Sequence, residues 1–459
     1  MGNKDRPLGQ DSREGFKSSF GLLAAAIGSA VGLGNIWRFP YITGVYGGGA
    51  FLVVYLLCVL IIGIPVMIAE FIIGREGEKD AIGSYKKLAP GKPWYISGVL
   101  GVGAAFLILA FYGVVAGWTL EYVLSAALNR FAGQNAAEIS NYFSGFISDP
   151  IKPIIWQVVV MTITALVVAL GVEEGIEKVA KILVPLLLVI IIILDFQALT
   201  LPGGKAGLEF LFKPNFSELT REGILAALGH AFFSLSLGMG IMITYGSYIP
   251  KKENLGRTAL NVSIADTIIA LLSGIAIFPV VFAFGIEPGY GAGLVFITLP
   301  NIFGQMAGGY FFSIMFFSLL ALAAITSTIS LMEAVVAYVI ERFNMGRVKA
   351  TAITAILITV VGVVASLSNG ELSGIDIAGY NIFDFLDNLT ADFFLPISAL
   401  ISSIFVGWRL DKKIVDNQLT NNGTIQVGYI KLLSFLFRIV SPVAIIIVFI
   451  SGIMERWIV

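Results

Sequence analysis

Long apolar stretches recur along almost the whole chain, and they constrain its fold more than any other feature. Eleven of them are long enough to cross a bilayer, for which a helix needs about 20 residues. Hydrophobic residues make up 57% of the 459 residues and charged residues only 13%, whereas a soluble domain averages about 25% charged residues. The sequence therefore predicts an all-α integral membrane protein and not a soluble enzyme. The stretches are 17–43, 48–74, 94–128, 153–172, 176–200, 223–250, 258–285, 309–341, 349–368, 382–408 and 429–455.

Lysine and arginine are distributed unevenly over the connecting segments. With the N-terminus inside, 21 of them lie in loops on the cytoplasmic side and 6 on the other side. Cytoplasmic loops are the positively charged ones in membrane proteins. We therefore expect a multi-pass protein of the inner (plasma) membrane, with the N-terminus in the cytoplasm and the C-terminus outside.

The residue types that several kinds of chemistry need are scarce. One histidine, His230, and one cysteine, Cys58, cannot build a disulfide framework or a His/Cys metal cluster. No nucleophile–base pair stands out, so we do not expect an enzyme. The net charge is −1 and basic residues do not cluster with aromatic ones, which argues against a nucleic-acid partner. The expected partner is the lipid bilayer.

Two spans carry clusters of small residues in their middle, at 28–35 and at 234–240. The first cluster has three glycines within seven residues and the second has two, and such glycines, at about 1 kcal/mol each, favour an interrupted helix. Open backbone inside a membrane is tolerated only where it is buried or lines a cavity. Matched interruptions in two halves of a chain indicate a transporter built from inverted repeats, with its site at mid-membrane. The alternative is close helix packing through small residues.

These clusters belong to longer motifs. Gly-Ser-Ala-Val-Gly-Leu-Gly-Asn at 28–35 is followed by Ile-Trp-Arg-Phe-Pro at 36–40 and by Gly-Gly-Gly-Ala-Phe at 47–51. Phe-Phe-Ser-Leu-Ser-Leu-Gly-Met-Gly stands at 232–240 and Ile-Thr-Ser-Thr at 325–328. Together they resemble the neurotransmitter:sodium symporter family, in its bacterial amino-acid transporter branch.

The resemblance implies a fold of 11 transmembrane helices with an inverted five-helix repeat and broken helices 1 and 6. The repeats would be 17–200 and 223–408. Residues 1–16 would form a cytoplasmic tail with part of an inner gate, residues 201–222 an extracellular loop, and residues 409–459 a cytoplasmic loop and the eleventh helix.

Two sodium sites are implied by the resemblance. Site 2 would use the backbone carbonyls of Gly28, Val31 and Ala323 and the hydroxyls of Thr326 and Ser327. Ala323, Thr326 and Ser327 lie on one helix face, at i, i+3 and i+4. The alternative for the two hydroxyls is bonding back to carbonyls of their own helix.

Site 1 would use Ala30, Asn35, Ser234, a seventh-span residue and the carboxylate of the substrate. Two alignments place either Asp266 or Ala265 at the seventh-span position. We favour Asp266, because a carboxylate in mid-membrane is costly and is by default a functional residue.

Asp266 bears on the anion site that chloride-dependent members of the family have beside site 1. The matching positions here are Tyr55, His230, Ser234, Asp266 and Ala270. Ala270 cannot hold an anion, and the carboxylate of Asp266 would repel one. We therefore expect no chloride, with Asp266 in its place; protonation of Asp266 on ion release would give proton antiport. His230 could share that proton or could be a core histidine.

The family binds amino acids or amines at the two breaks. Where amine-transporting relatives have a first-span Asp, this chain has Ser29, which favours a substrate with its own carboxylate. The pocket is uncharged and should reject acidic and basic side chains. Met239 adapts to different shapes, so we expect neutral hydrophobic side chains, including aromatic ones. The expected substrate-binding residues are Ser29, Ala30, Gly32, Leu33, Gly34, Ile108, Tyr112, Phe233, Ser234, Ser236, Met239, Ser327 and Leu331.

Charged residues near both ends of the site match the gates of the family. Arg38 and Asp387 would form the outer gate, with Asp384 as a competing partner and Phe233 as a lid. On the inside, Arg13 and Glu341 would pair, with Phe16 and Tyr248 alongside. Arg13 could instead belong only to the positive cytoplasmic set.

The resemblance implies a sodium-coupled symporter, either monomeric or dimeric, that works by alternating access. Glu70 would brace the sixth-span break by accepting backbone N–H bonds. A stretch from Gly175 to Pro185 could unwind to admit water to site 2, or could be an ordinary loop end and kink. The main alternative function is a sodium-dependent amino-acid sensor that does not transport.

Overall fold

The computed structural model describes residues 14–285, 293–454 and 457. Most of the described residues are helical, and the β-structure among them is limited to one isolated bridge between Ile377 and Tyr380. The prediction of an all-α protein is therefore confirmed.

The described residues in the first half of the chain form nine α-helices and three π-helical turns. The helices are α1 (Ser19–Ala30), α2 (Phe39–Val45), α3 (Gly49–Cys58), α4 (Ile64–Gly77), α5 (Ala81–Leu88), α6 (Tyr95–Ala127), α7 (Ala136–Ser148), α8 (Lys152–Ala169) and α9 (Lys178–Thr200). The π-helical turns are Gly34–Arg38, Val59–Gly63 and Val172–Glu177.

The second half contains the remaining helices. They are α10 (Gly204–Phe212), α11 (Arg221–Ser234), α12 (Ile241–Gly246), α13 (Leu255–Ala283), α14 (Leu299–Gln305), α15 (Gly309–Phe343), α16 (Arg347–Leu367), α17 (Ile382–Leu389), α18 (Leu395–Ile404), α19 (Lys412–Thr420), α20 (Ile430–Phe435) and α21 (Ser441–Ile453). Its π-helical turns are Leu294–Thr298, Thr390–Phe394, Phe405–Arg409 and Leu436–Val440.

Nine helical runs within the described ranges are long and apolar enough to cross a membrane. The pair α1 and Gly34–Val45 adds a tenth, bent by 49° at its break. The sixth predicted span is divided into α11 and α12, each of them too short to cross alone, so the count of eleven remains a prediction. The nine runs are Gly49–Gly77, Tyr95–Ala127, Lys152–Ala169, Val172–Thr200, Leu255–Ala283, Gly309–Phe343, Arg347–Leu367, Ile382–Arg409 and Ile430–Ile453.

The first and sixth spans are interrupted where the small residues cluster. The α1 helix ends at Ala30 and helical geometry resumes at Gly34. Between α11 and α12 the backbone adopts positive φ at Ser236 (54°), Gly238 (75°) and Gly240 (70°), a conformation that a helix cannot contain. The predicted breaks are therefore present in both spans.

The second span holds the inner half of the sixth span in place. Glu70 accepts a 2.9 Å hydrogen bond from the Gly238 backbone N–H, as expected from the sequence. One turn further on, α4 and α12 meet backbone to backbone, because a side chain on Gly74 would overlap the Ile243 carbonyl and one on Gly246 would lie 2.9 Å from the Phe71 carbonyl oxygen. The break is thus supported by a fully buried carboxylate and a close helix contact.

We call the face with Ser19 and Gly77 the inner face and the face with Val45 and Gly49 the outer face. The short helix α5 lies on the inner face, where Asp80 caps it by accepting bonds from the Ile82 and Gly83 N–H groups (2.8 and 3.2 Å). The backbone N–H of Asp80 donates to Glu341 at 2.8 Å. Two carboxyl groups therefore meet at the start of α5.

The stretch from Gly175 to Pro185 is wound in this structure. Gly175 lies in the π-helical turn Val172–Glu177, and α9 continues through Pro185. The opening of this stretch to water remains a prediction.

We expect Gly74→Ala to destabilise the protein, because the new methyl group would overlap the Ile243 carbonyl and overpacking costs about 1–3 kcal/mol. Gly145→Ala is a matched control, since a Cβ there meets nothing within 4 Å. The midpoint of thermal unfolding in detergent measures both effects. A Gly74→Ala midpoint equal to that of Gly145→Ala would contradict the close packing of α4 on α12.

Asp80 should make stability depend on pH. Burial and the neighbouring Glu341 carboxylate raise the pKa of Asp80 to about 7. A carboxyl group that holds its proton more tightly in the folded than in the unfolded state loses stability as pH rises, here between about pH 4 and about pH 7. Asp80→Asn keeps the cap and removes the titration, so its unfolding midpoint should fall less over that window.

The control for that comparison is Asp411→Asn, which changes the cap of the exposed start of α19. It should keep the wild-type slope of unfolding midpoint against pH. Equal slopes in wild type and Asp80→Asn would contradict the assignment.

Candidate functional site at the two helix breaks

A small cavity lies between the first and sixth breaks, and α6 and α15 close its other sides. It measures about 30 Å³. It brings together every expected substrate-binding residue except Leu33, and it adds Ile241, which sequence reasoning missed. The lining residues are Ser29, Ala30, Gly32, Gly34, Ile108, Tyr112, Phe233, Ser234, Ser236, Met239, Ile241, Ser327 and Leu331.

The polar side of the cavity is made by the first break. The Leu33 N–H donates to the Tyr112 hydroxyl oxygen at 3.1 Å, and the Ser236 hydroxyl donates to the Ser29 carbonyl at 2.9 Å. A Cβ on Gly32 would lie 2.5 Å from the Ser327 hydroxyl and 2.9 Å from the Tyr112 hydroxyl. Gly32 therefore leaves backbone groups of the break open to the cavity.

The apolar side is formed by Ile108, Phe233, Met239, Ile241 and Leu331. Among the residues that the structure describes, no charged side chain lines the cavity. The cavity therefore offers polar backbone groups at the first break and apolar side chains on the opposite side. Ile241 is the first residue of α12, directly after the sixth break, and it therefore reaches the cavity. Its place next to the glycine cluster was the signal in the sequence that could have identified it.

Asp266 stands at the centre of a buried hydrogen-bond cluster. Its carboxylate accepts bonds from the Asn35 amide at 2.7 Å, the Ser234 hydroxyl at 2.8 and 2.9 Å, and the Tyr55 hydroxyl at 3.1 Å. Asp266, Asn35 and Tyr55 are fully buried. The cluster therefore joins the two breaks to α13 and α3, with Ala30 nearby on the cavity wall.

His230 lies beside this cluster without bonding to it. Its ring centroid is 5.3 Å from that of Tyr55 and 5.9 Å from that of Phe39. Neither ring nitrogen has a hydrogen-bond partner among the described residues. Ala270 is one of the five positions that match the anion site of chloride-dependent relatives. It is buried, and its side chain has no hydrogen-bond donor.

The residues expected at site 2 also meet. The Ser327 hydroxyl lies 3.5 Å from the carbonyl oxygens of Ser29 and Val31. A Cβ on Gly28 would be 3.3 Å from Thr326. The Thr326 hydroxyl bonds back to the Ala323 carbonyl of its own helix at 3.0 Å. This back-bonding is the alternative that the sequence left open for the Thr326 hydroxyl.

An outer cavity of about 310 Å³ lies directly above the small one. Arg38 and Asp387 both line it, and so does Leu33, whereas Asp384 is bonded to Asn381. The Arg38 guanidinium lies 5.1 Å from the Phe233 ring centroid. Phe233 borders both cavities, so its ring separates them.

On the inner face, Arg13 lies outside the described residues, and Glu341 accepts the Asp80 N–H described above. Phe16 packs edge-on against Tyr248 with ring centroids 6.2 Å apart. The Tyr248 hydroxyl donates to Glu333 at 2.6 Å. Glu333 is fully buried and was missed by sequence reasoning, although an acid within an apolar span, like Asp266, was a signal for it.

The segment 14–18, just before α1, is bonded to two other spans. Arg347 pairs with Glu333 at 2.7 Å and with Glu14 at 2.8 Å. Glu177, at the start of the fifth span, accepts the Lys17 N–H at 2.8 Å and the Ser18 hydroxyl at 2.7 Å. These contacts lie on the inner face, and no spacing in the sequence pairs residues so far apart in the chain.

Comparison with known proteins identifies the family. The profile of the Sodium:neurotransmitter symporter family matches residues 13–142 and 130–457. An uncharacterized sodium-dependent transporter, YhdH, of Bacillus subtilis (strain 168) is 39% identical over 436 residues, covering 95% of this chain and 97% of its own. A further uncharacterized sodium-dependent transporter, of Haemophilus influenzae, is 35% identical over 451 residues, covering 96% and 98%.

The fold matches that of a solved relative. The crystal structure of MhsT in complex with L-phenylalanine is 46% identical in sequence, with a TM-score of 0.89, and the match covers 96% of this chain and 100% of that one. Proteins of this family are transporters and not enzymes. The matches cover nearly the whole chain, and the protein therefore belongs to the sodium:neurotransmitter symporter family of sodium-dependent membrane transporters.

Proposed function

We propose that this sodium-dependent transporter imports neutral hydrophobic L-amino acids, including aromatic ones, and does so without chloride. The observation that carries the proposal is the uncharged cavity between two interrupted helices. Alternating access moves the site between the two faces of the membrane. We further propose the cell membrane as its location, with the N-terminus in the cytoplasm and the C-terminus outside.

The substrate binds with its polar end at the first break. Half-helix ends and freed backbone groups stabilise the α-amino and α-carboxylate groups, and the Tyr112 hydroxyl reaches the carboxylate. Ser29 provides no counter-charge for a monoamine, so the substrate brings its own carboxylate. Its side chain lies among Ile108, Phe233 and Met239. MhsT, which was solved with L-phenylalanine, supports this choice of substrate.

Sodium is a hard cation and takes oxygen ligands, and both proposed sites are rich in oxygen atoms. Site 1 consists of Ala30, Asn35, Ser234 and Asp266 and is completed by the substrate carboxylate. Because one ion then touches both substrate and protein, sodium and substrate stabilise each other's binding.

Site 2 consists of Gly28, Val31, Ala323, Thr326 and Ser327. Its oxygen atoms come from the first break and from one face of α15, so an ion there holds two separate helices together. The Ser327 hydroxyl, which is 3.5 Å from two carbonyls of the first break, supports this proposal. Thr326 would exchange its bond to the Ala323 carbonyl for the ion.

Asp266 replaces chloride in this proposal. Its carboxylate already accepts bonds from Tyr55, Ser234 and Asn35, so the donors that an anion would need are occupied. A second negative charge within a few ångströms would be repelled.

Two gates control access to the site. Arg38, Asp387 and Phe233 close it from the outer cavity. We assign closure from the inner face to Tyr248, Glu341 and Arg13. Opening one set while the other stays closed gives alternating access without a continuous pore.

Uptake of labelled amino acids into proteoliposomes in chloride-free buffer tests the proposal. Neutral hydrophobic amino acids should accumulate only with an inward sodium gradient. Sodium-dependent binding without accumulation would instead identify a sensor. Accumulation that needs chloride would overturn the role of Asp266 while leaving the transporter intact.

Asp266→Asn keeps the shape of the side chain and removes its charge. We expect the apparent sodium affinity for uptake to fall by about tenfold or more, which corresponds to about 1.4 kcal/mol. Asp195→Asn is the matched control, because Asp195 is a buried span acid whose oxygens have no hydrogen-bond partner among the described residues. An unchanged sodium affinity in Asp266→Asn would contradict its place in site 1.

A double variant, Asp266→Asn with Ala270→Ser, tests the chloride argument separately. It removes the internal charge and adds a hydroxyl donor, so added chloride should raise its uptake while leaving wild-type uptake unchanged. No response to chloride in the double variant would count against the substitution of the anion by Asp266.

Met239→Phe should narrow the side-chain pocket. We expect the KM for L-tryptophan to rise by about tenfold, while the KM for L-leucine changes by less than about threefold, because a rigid ring replaces a flexible chain. Met239→Leu preserves the volume and should change both values little. Equal KM changes for the two substrates would place Met239 away from the bound side chain.

A further inference from the structure

The segment 250–254, between the sixth and seventh spans, is bonded to several elements on the inner face. The Ser19 hydroxyl, at the start of α1, donates to the Glu253 carboxylate at 2.5 Å. Lys251 pairs with Glu78, just after α4, at 3.0 Å. The Asn421 amide, at the end of α19, donates to the Lys252 carbonyl at 2.9 Å. We call this segment the 250–254 loop.

Arg75 connects this loop to α4 and α19. Its guanidinium donates to the Glu253 carbonyl at 2.6 Å, to the Gln418 side-chain oxygen at 2.5 Å and to the Asn421 side-chain oxygen at 3.2 Å. It also donates to the Gln418 backbone carbonyl. The residue is only 3% exposed, so nearly all of its donors are directed at protein.

Every acceptor of Arg75 is a neutral oxygen, and in the described part of the chain it forms no ion pair with a carboxylate. A buried charge is costly unless its donors are satisfied. A planar fork with five donors in fixed directions can bond to the loop and to α19 at once, a geometry that the single ammonium group of a lysine does not offer. These hydrogen bonds therefore fix the position of the loop relative to α4 and α19.

The loop belongs to a unit that α4 holds together. Glu70 binds the sixth-span break, Gly74 meets the backbone of α12, and Arg75 binds the loop that follows α12. These three residues lie within two turns of one helix. The position of Glu253 therefore depends on Arg75 and, through Gln418, on α19.

The start of α1 is held differently. Its bonds to Glu177 tie it to the fifth span. Towards α12 and the loop that follows it, the Phe16 N–H donates to the Tyr248 carbonyl at 3.3 Å, and the Ser19 hydroxyl makes the exposed bond to Glu253. For the inner face to close, the start of α1 must contact the 250–254 loop.

We propose that Arg75 is a positioning residue for closure of the inner face: with α19 it holds the 250–254 loop where Glu253 can meet the start of α1. The proposal rests on the alternating-access function given above. The proposal assigns α19 a part in the transport cycle, because α19 and Arg75 together hold the loop. We call these contacts the clamp. Loss of the clamp should favour the state in which α1 has separated from the loop.

The test uses spin labels on the full-length protein. Phe20→Cys on α1 and Lys252→Cys on the loop, in a Cys58→Ser background, give two exposed sites across the contact. Distances are measured without sodium and with saturating sodium plus L-phenylalanine. The variants are Arg75→Ala, Arg75→Lys and Gln418→Ala, and the control is Lys412→Ala at the exposed start of α19.

In Arg75→Ala we expect the long-distance population without sodium to rise by about threefold, and the apparent sodium affinity to fall by about the same factor, because the competent state is less populated. Saturating sodium should restore both the short distance and the substrate affinity. Arg75→Lys and Gln418→Ala should give intermediate values, and Lys412→Ala should match wild type.

Wild-type distances and sodium affinity in Arg75→Ala would overturn the proposal. So would a change that sodium does not reverse and that accompanies a lower unfolding temperature, since that result indicates a purely structural role. Equal changes in Lys412→Ala would also overturn it. Because the distances are measured independently of uptake, failure of wild-type accumulation would count against the proposed function and not against the clamp.

Discussion

The structure depends on satisfying backbone groups that two helices leave open in the middle of the membrane. Lipid offers no hydrogen bonds, so an interrupted helix there persists only where protein or bound ligand meets its free groups. Here Glu70 meets the sixth break, and Tyr112, Ser236 and Ser327 meet the first. The groups that remain face a small cavity. The same constraint therefore creates the cavity and leaves backbone groups there with which a ligand can bond.

The buried charge of Asp266 is subject to the same constraint. A carboxylate with no exposed surface is stable only with several donors around it, and it has three side-chain partners from three different elements. In the proposed site 1, such a group would bind a cation beside the substrate carboxylate. Asp266 also links the two breaks through its bonds to Asn35 and Ser234. An ion bound there would therefore affect both halves of the fold.

Local motifs predicted the parts of the site that lie near them in the chain. The small-residue clusters indicated both breaks, and an acid within an apolar span pointed to Asp266. Ile241 was missed because nothing in its own residue type marks it; it reaches the cavity only because α12 begins there. Glu333, Arg347 and Glu14 meet across three elements, and Arg75 meets α19 more than 340 residues away. Such pairs depend on the packing of spans, which sequence spacing does not encode.

The number of sodium ions carried with each amino acid tests the central claim most directly. It can be measured in chloride-free proteoliposomes from the sodium gradient that just balances a set gradient of L-phenylalanine, so that no net flux occurs. The account predicts two sodium ions per amino acid and no effect of added chloride. A balance point independent of sodium, or one that shifts with the chloride gradient, would contradict it.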